Sequence, residues 1–289
     1  MRAAGDPELK VYGIFGWPLG HTVSPVFQNR AFDYYHLKSI YFAFERPPSR
    51  FRFLMRHLKS FMLDGFNVTV PYKETVIAYL DRLSPEARII GSVNTVKKEG
   101  NRWAGYNTDL HGFLAGLREA KFRASGKSGM VLGAGGSART VVYALAKSGA
   151  RDIVIANRTL SRARRLVNRF QRQFPKTALR ATFLRGKEFE RAISEVDILV
   201  NATKVGLKPS DGSLLQKKLF PKKKILVYDL IYRPRRTKLL QLAKQCGYKI
   251  QNGETMLLHQ GAKAFEMWTG KRAPLREMKE ALHVALKSQ

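Results

Sequence analysis

Lys73 stands near the end of the run Gly65-Phe66-Asn67-Val68-Thr69-Val70-Pro71-Tyr72-Lys73-Glu74, in which residues 65–70 read as a short apolar strand. Such a strand delivers Asn67, Thr69 and the lysine to one edge. An amine at a strand-to-helix turn is a candidate for proton chemistry. Further along, Gly133-Ala134-Gly135-Gly136-Ser137-Ala138-Arg139 forms a glycine-rich turn, so the amine has a candidate nucleotide site to work beside. Together the two motifs point to pyridine-nucleotide chemistry.

Gly133, Gly135 and Gly136 follow a strand-like run and open a helical one. There the chain can turn tightly and bring backbone amides to a pyrophosphate at the positive end of a helix. The spacing departs from GxGxxG, because Ala138-Arg139 occupies the end of the pattern, and a tight connection without ligand would use the same glycines. The end of the next strand adds information. An NAD enzyme carries a ribose-binding acid there. This chain instead reads Ala156-Asn157-Arg158-Thr159-Leu160-Ser161-Arg162, with two guanidiniums and no acid. Guanidinium matches the geometry of a phosphate dianion and stays charged, so the loop suits the 2′-phosphate of NADP. A solvated basic helix start is the competing reading.

A second loop, Gly16-Trp17-Pro18-Leu19-Gly20-His21-Thr22-Val23-Ser24-Pro25, places hydroxyls at Thr22 and Ser24, where they can bind a carboxylate. Ser24 also reads as the N-cap of a helix running towards Tyr35, with Pro25 in its first turn. Gly91-Ser92-Val93-Asn94-Thr95 and Gly105-Tyr106-Asn107-Thr108-Asp109 add amides, hydroxyls and one acid, an inventory for a polyhydroxylated substrate. The six histidines are scattered without zinc-site spacing, so no metal is expected.

These groups need a scaffold. Residues 10–15, 39–44 and 65–70 read as strands, with helices over 24–35 and 50–62, which favours parallel crossovers. After Asp109, strand-like 129–132, 152–156, 197–201 and 224–229 alternate with helical 138–147, 161–174 and 237–245, a doubly wound pattern. Met256, Leu257, Phe265 and Trp268 give residues 255–269 helical spacing for packing back on the first domain. The expectation is an α/β protein with a discontinuous substrate-binding catalytic domain, 1–108 plus 255–289, and a Rossmann domain, 109–254.

A chain of 289 residues is long for one core and comfortable for two. No apolar run approaches the roughly 18 residues that span a bilayer. Residues 1–10 carry charges and Pro7 where a secretory signal needs an apolar block. With Cys246 as its single cysteine, the chain is expected in a reducing, cytoplasmic compartment. The excess of 52 Lys+Arg over 22 Asp+Glu, a formal +30, raises nucleic-acid binding. That reading needs a localised stripe, whereas the basic residues are spread, with short clusters such as Arg162-Ala163-Arg164-Arg165 and Lys222-Lys223-Lys224. A cationic solvated surface that attracts anionic substrates is preferred.

The ordered set of motifs resembles the shikimate dehydrogenase family. It comprises His21-Thr22-Val23-Ser24-Pro25, Asn67 to Glu74, Val93-Asn94-Thr95, Asn107-Thr108-Asp109, the Gly133 turn, Asn157-Arg158-Thr159, Asn201-Ala202-Thr203, Tyr232 and Met256-Leu257 with Gln260. The resemblance implies NADPH-dependent reduction of 3-dehydroshikimate in a cleft between the two domains, by a monomer or homodimer. It implies Lys73 and Asp109 as the catalytic pair. Thr22, Ser24, Asn67, Thr69, Asn94, Tyr232 and Gln260 would surround the substrate. Gly133, Ala134, Gly135, Gly136, Ser137, Ala138, Asn157, Arg158, Thr159, Arg162, Asn201, Ala202, Thr203, Gly253 and Met256 would take the cofactor. Thr22 stands where the family often has serine, which keeps quinate, and with it relaxed use of NAD or NADP, open as an alternative. Lys204 also departs from the small or polar residue common there. From a different class, a non-catalytic basic Rossmann protein binding NADP or nucleic acid is the remote alternative.

Overall fold

The computed structural model describes residues 8–20 and 22–287, so His21 and most of the stretch read for an export signal lie outside the described residues. The chain divides into two compact units. One holds the described residues up to Thr108 together with those from Leu258 onward, and the other runs from Asp109 to Leu257.

In the first unit, β1 (Lys10–Gly16), α1 (Ser24–Tyr34), β2 (Ser39–Glu45), α2 (Pro48–Arg56), β3 (Gly65–Val68), β4 (Arg82–Leu83), α3 (Pro85–Ile90), β5 (Thr95–Glu99) and β6 (Arg102–Tyr106) follow in order. Their sheet runs β2-β1-β3-β5-β6-β4. β1 pairs parallel with β2 and β3, as the helical crossovers require, whereas β5 pairs antiparallel with both β3 and β6. The expected parallel sheet is therefore mixed. A hairpin turned at Gly100, whose φ of 60° costs glycine little, replaces a crossover there. One core cluster of this unit is aromatic, with Phe15, Phe51, Phe66, Tyr72 and Trp103 packed together.

Three local expectations are corrected. α1 begins at Ser24 with Val23 as its N-cap, so the Ser24 hydroxyl makes no cap bond. α2 ends at Arg56, and a 3-10 turn over Leu58–Ser60 takes up the remainder of the stretch read as one helix. β3 stops at Val68: Thr69 still donates its N–H to the Phe15 carbonyl at 2.8 Å, but Val70 turns its carbonyl to the Trp17 N–H at 3.0 Å. Pro71 has no N–H with which to extend the ladder.

The second unit contains α4 (Asp109–Glu119), β7 (Ser128–Leu132), α5 (Gly136–Lys147), β8 (Asp152–Ala156), α6 (Leu160–Gln171), β9 (Ala178–Thr182), α7 (Lys187–Ser194), β10 (Ile198–Asn201), β11 (Leu226–Asp229), α8 (Lys238–Gln245) and β12 (Lys249–Gln251). Its sheet is parallel throughout, in the order β12-β11-β10-β7-β8-β9. This is the doubly wound arrangement, with its switch point between β7 and β10, where ligands bind outside the carboxyl ends of the strands. β7, β10 and β11 are buried along their whole length, so they read as near-continuous apolar runs.

α9 (Glu254–Thr269) and α10 (Leu275–Lys287) complete the chain, and the unit boundary falls inside α9. In the first unit, Trp268 of α9 stacks on Tyr12 at 4.9 Å and donates its Nε1–H to the Val96 carbonyl at 3.0 Å. The helix read over residues 255–269 thus packs on the sheet of that unit. No helix among the described residues is long and apolar enough to cross a membrane.

Candidate active site

Lys73 sits on the turn that leaves β3, and its neighbours fix that turn. Tyr72 is buried, stacks on Phe51 with centroids 3.8 Å apart and planes 3° apart, and donates its hydroxyl to the Arg46 carbonyl. Such a stacked pair contributes about 1 kcal/mol beyond the area it buries. The Lys73 carbonyl accepts the Val93 N–H at 2.8 Å, while its side chain is partly exposed. An anchored backbone therefore carries a partly exposed amine.

Beside it lies a buried cluster of amides and hydroxyls. Asn94 accepts the Thr108 N–H on Oδ1 at 2.7 Å and donates Nδ2 to Thr108 Oγ1 at 3.0 Å and to Gln260 Oε1 at 3.1 Å. Thr95 and Thr108 share a hydroxyl–hydroxyl bond of 2.8 Å. Asn67 donates Nδ2 to the Asn94 carbonyl and to Thr95 Oγ1, both at 2.9 Å, and its Oδ1 accepts the Tyr41 hydroxyl at 2.7 Å. Both amide protons of Asn67 are thereby used internally, leaving Oδ1 with one lone pair for a ligand. Burial holds the Tyr41 hydroxyl well above its ordinary pKa, so it remains a donor.

Tyr41 escapes sequence reasoning because it stands on a strand between Ile40 and Phe42, where an aromatic reads as core. Thr22 and Ser24 come together at the start of α1, where the Ser24 N–H points to Thr22 Oγ1 at 3.4 Å. Thr69 lies against their loop: a Cβ built on Gly16 would meet Thr69 Cγ2 at 2.5 Å. The first unit thus gathers Thr22, Ser24 and Thr69 on one side, and Asn67, Asn94 and Gln260 on another.

In the second unit, Asp109 is buried as the first residue of α4, where the helix macrodipole favours an acid. Tyr232 follows β11, and burial raises its hydroxyl pKa against the lowering influence of Arg233. The glycine turn fits a dinucleotide. Gly133 has φ 110°, and a Cβ there would meet the Ala202 carbonyl at 3.1 Å, whereas a Cβ on Gly135 would meet nothing within 4 Å. Open space therefore stands before the N-terminus of α5, whose cap Gly135 has no side chain to fill it. Ala134, Gly136 and Ser137 are partly exposed there, while Ala138 packs inward. At the end of β8, Asn157 donates Nδ2 to the Thr159 carbonyl at 2.9 Å, and Arg158, Thr159 and Arg162 are exposed. A cradle for pyrophosphate followed by an exposed, acid-free, arginine-bearing loop suits NADP.

β10 and β11 end in Asn201 and Asp229, both 0% exposed. Asp229 Oδ1 accepts Asn201 Nδ2 and the Ile231 N–H, each at 3.0 Å, and Oδ2 accepts the Thr237 hydroxyl at 2.7 Å. Burial raises the Asp229 pKa, against the lowering effect of those three bonds. Asn201 Oδ1 in turn accepts the N–H and hydroxyl of Thr203, at 3.0 and 2.8 Å. Gly253 donates its N–H to the Ile231 carbonyl at 3.1 Å, and Met256 is buried on α9. An acid closing the apolar run Ile225-Leu226-Val227-Tyr228 was the sequence signal that could have singled out Asp229.

Three domain models of one family match the chain. The model of the shikimate dehydrogenase substrate binding domain matches residues 14–96, that of shikimate / quinate 5-dehydrogenase matches 117–247, and that of the shikimate 5′-dehydrogenase C-terminal domain matches 253–283. The shikimate dehydrogenase (NADP(+)) of Methanopyrus kandleri is 42% identical over 279 residues, covering 96% of each chain. The structure of the Thermus thermophilus shikimate 5-dehydrogenase in complex with NADP(H) and shikimate has a TM-score of 0.83 at 38% identity, covering 96% of this chain and 100% of that one. Quinate dehydrogenase from Corynebacterium glutamicum in complex with NAD has a TM-score of 0.85 at 28% identity, covering 95% and 99%. With all three domain models matched and a relative 42% identical along nearly its whole length, the chain belongs to the shikimate dehydrogenase family.

Proposed function

We propose that this protein is an NADP-dependent shikimate dehydrogenase, which reversibly reduces 3-dehydroshikimate to shikimate in chorismate and aromatic amino-acid biosynthesis. One observation carries the reading. Val93 donates to the Lys73 carbonyl at 2.8 Å and its neighbour Asn94 accepts the N–H of Thr108 at 2.7 Å, which supports reading Lys73 and the residue after Thr108 as a catalytic pair. Thr108 is bonded to Asp109 through the next peptide link. The relative in complex with NADP(H) and shikimate and the relative named for NADP(+) support the same substrate and cofactor.

When bound, NADPH would supply the hydride to the ketone carbon. Lys73, as an ammonium, hydrogen-bonds the ketone oxygen, offsets the negative charge that develops there and passes it a proton from Nζ. Asp109 accepts a hydrogen bond from a substrate hydroxyl and orients it relative to the lysine. The hydroxyls of Thr22, Ser24 and Tyr232 donate to the substrate carboxylate, while Asn67, Thr69, Asn94 and Gln260 position the ring hydroxyls. Arg158 and Arg162 would hold the 2′-phosphate, and the amides of the Gly133 turn would take the pyrophosphate. The working partners on this reading are small molecules, the protein a monomer or homodimer, and the compartment the cytoplasm.

The test is a matrix of purified protein with shikimate or quinate against NADP⁺ or NAD⁺, following nicotinamide reduction. Turnover should be greatest with shikimate and NADP⁺. Failure of all four combinations would overturn the enzyme assignment, and a higher kcat/KM for quinate would replace the substrate.

A further inference from the structure

Asp229 takes no part in the chemistry described above, yet its carboxylate joins three segments of the second unit at the carboxyl edge of the sheet. The donors are neutral: the Asn201 side-chain amide from the end of β10, the Ile231 N–H from the loop after β11, and the Thr237 hydroxyl. Thr237 is also the N-cap of α8, accepting the Leu240 N–H on Oγ1 at 3.3 Å. The network extends outward through Asn201 to Thr203, and Thr203 Oγ1 accepts the Val205 N–H at 3.0 Å. The loop after β10 is thus held in both directions.

Its location gives this brace a function. β7 carries the glycine turn, β8 on one flank carries Arg158, and β10 and β11 lie on the other flank. If Arg158 holds the 2′-phosphate and the turn the pyrophosphate, the ends of β10 and β11 are where the nicotinamide half of a dinucleotide would lie. The loop after β10 packs closely on the glycine turn, since a Cβ on Gly133 would meet the Ala202 carbonyl at 3.1 Å and Thr203 Cγ2 at 3.2 Å. Gly206 closes the loop with φ 107°, and a Cβ there would lie 3.2 Å from Thr237 Cβ. A shift of either loop would change the nicotinamide wall while leaving the Arg158 loop, on the far side of β7, in place.

We propose that Asp229 is a positioning residue for the nicotinamide half of NADP, acting through Asn201, Ile231 and Thr237 to fix the loops after β10 and β11. The inference rests on the NADP reading above. Asparagine has the shape of this buried carboxylate but not its acceptors: its amide nitrogen presents a donor where the structure supplies a donor already. Merely holding the fold together would affect both halves of the cofactor alike, whereas positioning affects one.

The experiment measures binding of NADPH and of adenosine 2′,5′-bisphosphate to full-length wild-type, Asp229→Asn and Thr237→Val proteins. The bisphosphate carries the 2′-phosphate and the adenosine-side phosphate of the cofactor and lacks the nicotinamide half. Asp229→Asn should weaken NADPH by about tenfold or more and change the bisphosphate by less than about twofold, with the Michaelis constant for NADPH rising in step. Thr237→Val removes one of the three donors and should show the same split to a smaller extent. It carries the test if Asp229→Asn does not fold. Unchanged NADPH binding in the folded variants, or equal loss for both ligands, overturns the positioning role and leaves the NADP reading standing. Wild-type protein that binds neither ligand overturns the NADP reading, and the inference with it.

Discussion

Tyr41 donates its hydroxyl to Asn67 Oδ1 at 2.7 Å, and both residues are buried in the sheet of the first unit. The Asn94 carbonyl, which can only accept, decides which way the Asn67 amide faces: Nδ2 donates to it and to Thr95 Oγ1, and Oδ1 is left to take the Tyr41 hydroxyl. β2 and β3, separated by β1 in the sheet, are thereby linked side chain to side chain, and the amide cluster is anchored from behind.

Tyr41→Phe should therefore do more than remove a hydrogen bond. The buried Asn67 oxygen loses its donor, at a cost of about 1–3 kcal/mol in stability. The Asn67 side chain is then anchored through Nδ2 alone and its oxygen is free to shift, so kcat/KM for shikimate should fall by about tenfold while the affinity for NADPH stays unchanged. Steady-state kinetics and chemical denaturation check the two parts separately. A stability loss with intact kcat/KM would reduce the bond to a structural one.

Lys73 gives the most direct test of the chemistry. Lys73→Met keeps much of the side-chain volume and removes the ammonium, so kcat should fall by at least about a hundredfold, within the range for a positioned proton donor. Shikimate binding should weaken far less, because the amide cluster and the Thr22–Ser24 loop remain. Single-turnover measurement with preformed enzyme–NADPH separates this from slow product release. A kcat within a few-fold of wild type would remove Lys73 from the mechanism.

What was legible in the sequence follows from how local the signals are. The Gly133 turn and the arginine loop at residues 157–162 are contiguous, and fully buried strands such as β7 and β10 announce themselves as apolar runs. The β5–β6 hairpin hides because Lys97, Lys98, Glu99 and Arg102 cover its apolar alternation with charge. Helical spacing over residues 50–62 continues past Arg56, although the backbone tightens into a 3-10 turn at Leu58. Tyr41 and Asp229 are harder still. Their partners stand 26 and 28 residues away in Asn67 and Asn201, so only the folded sheet shows that an aromatic and a strand-closing acid are braces.

The arginine loop predicts cofactor choice. Arg158 is exposed after β8, among neutral groups at Asn157 and Thr159 and with Arg162 following. A pairing between guanidinium and 2′-phosphate is charge-assisted, so Arg158→Ala should weaken NADP⁺ by about tenfold and leave NAD⁺ within about twofold. The preference for NADP⁺ should also narrow as salt is raised, because an exposed pair is screened. Equal losses for both cofactors would show that Arg158 supports the fold of the loop rather than the phosphate.

Gly253 tests the loop after β11 from its other side. A Cβ built there would lie 2.1 Å from the Leu230 carbonyl oxygen, 2.7 Å from its carbon and 3.1 Å from the Ile231 carbonyl carbon, all backbone atoms. Nothing flexible can move aside, and the Gly253 N–H is itself bonded to the Ile231 carbonyl at 3.1 Å. The methyl group must therefore push the segment that carries Ile231 and Tyr232. Gly253→Ala should lose about 1–3 kcal/mol, the usual cost of forcing an extra methyl into a packed site, and raise the Michaelis constant for shikimate through Tyr232. Gly212→Ala is the matched control, since a Cβ there meets nothing within 4 Å. Thermal unfolding of the two variants side by side decides the point: equal midpoints would mean that the loop has room to yield, and that the close approach at Gly253 does not constrain it.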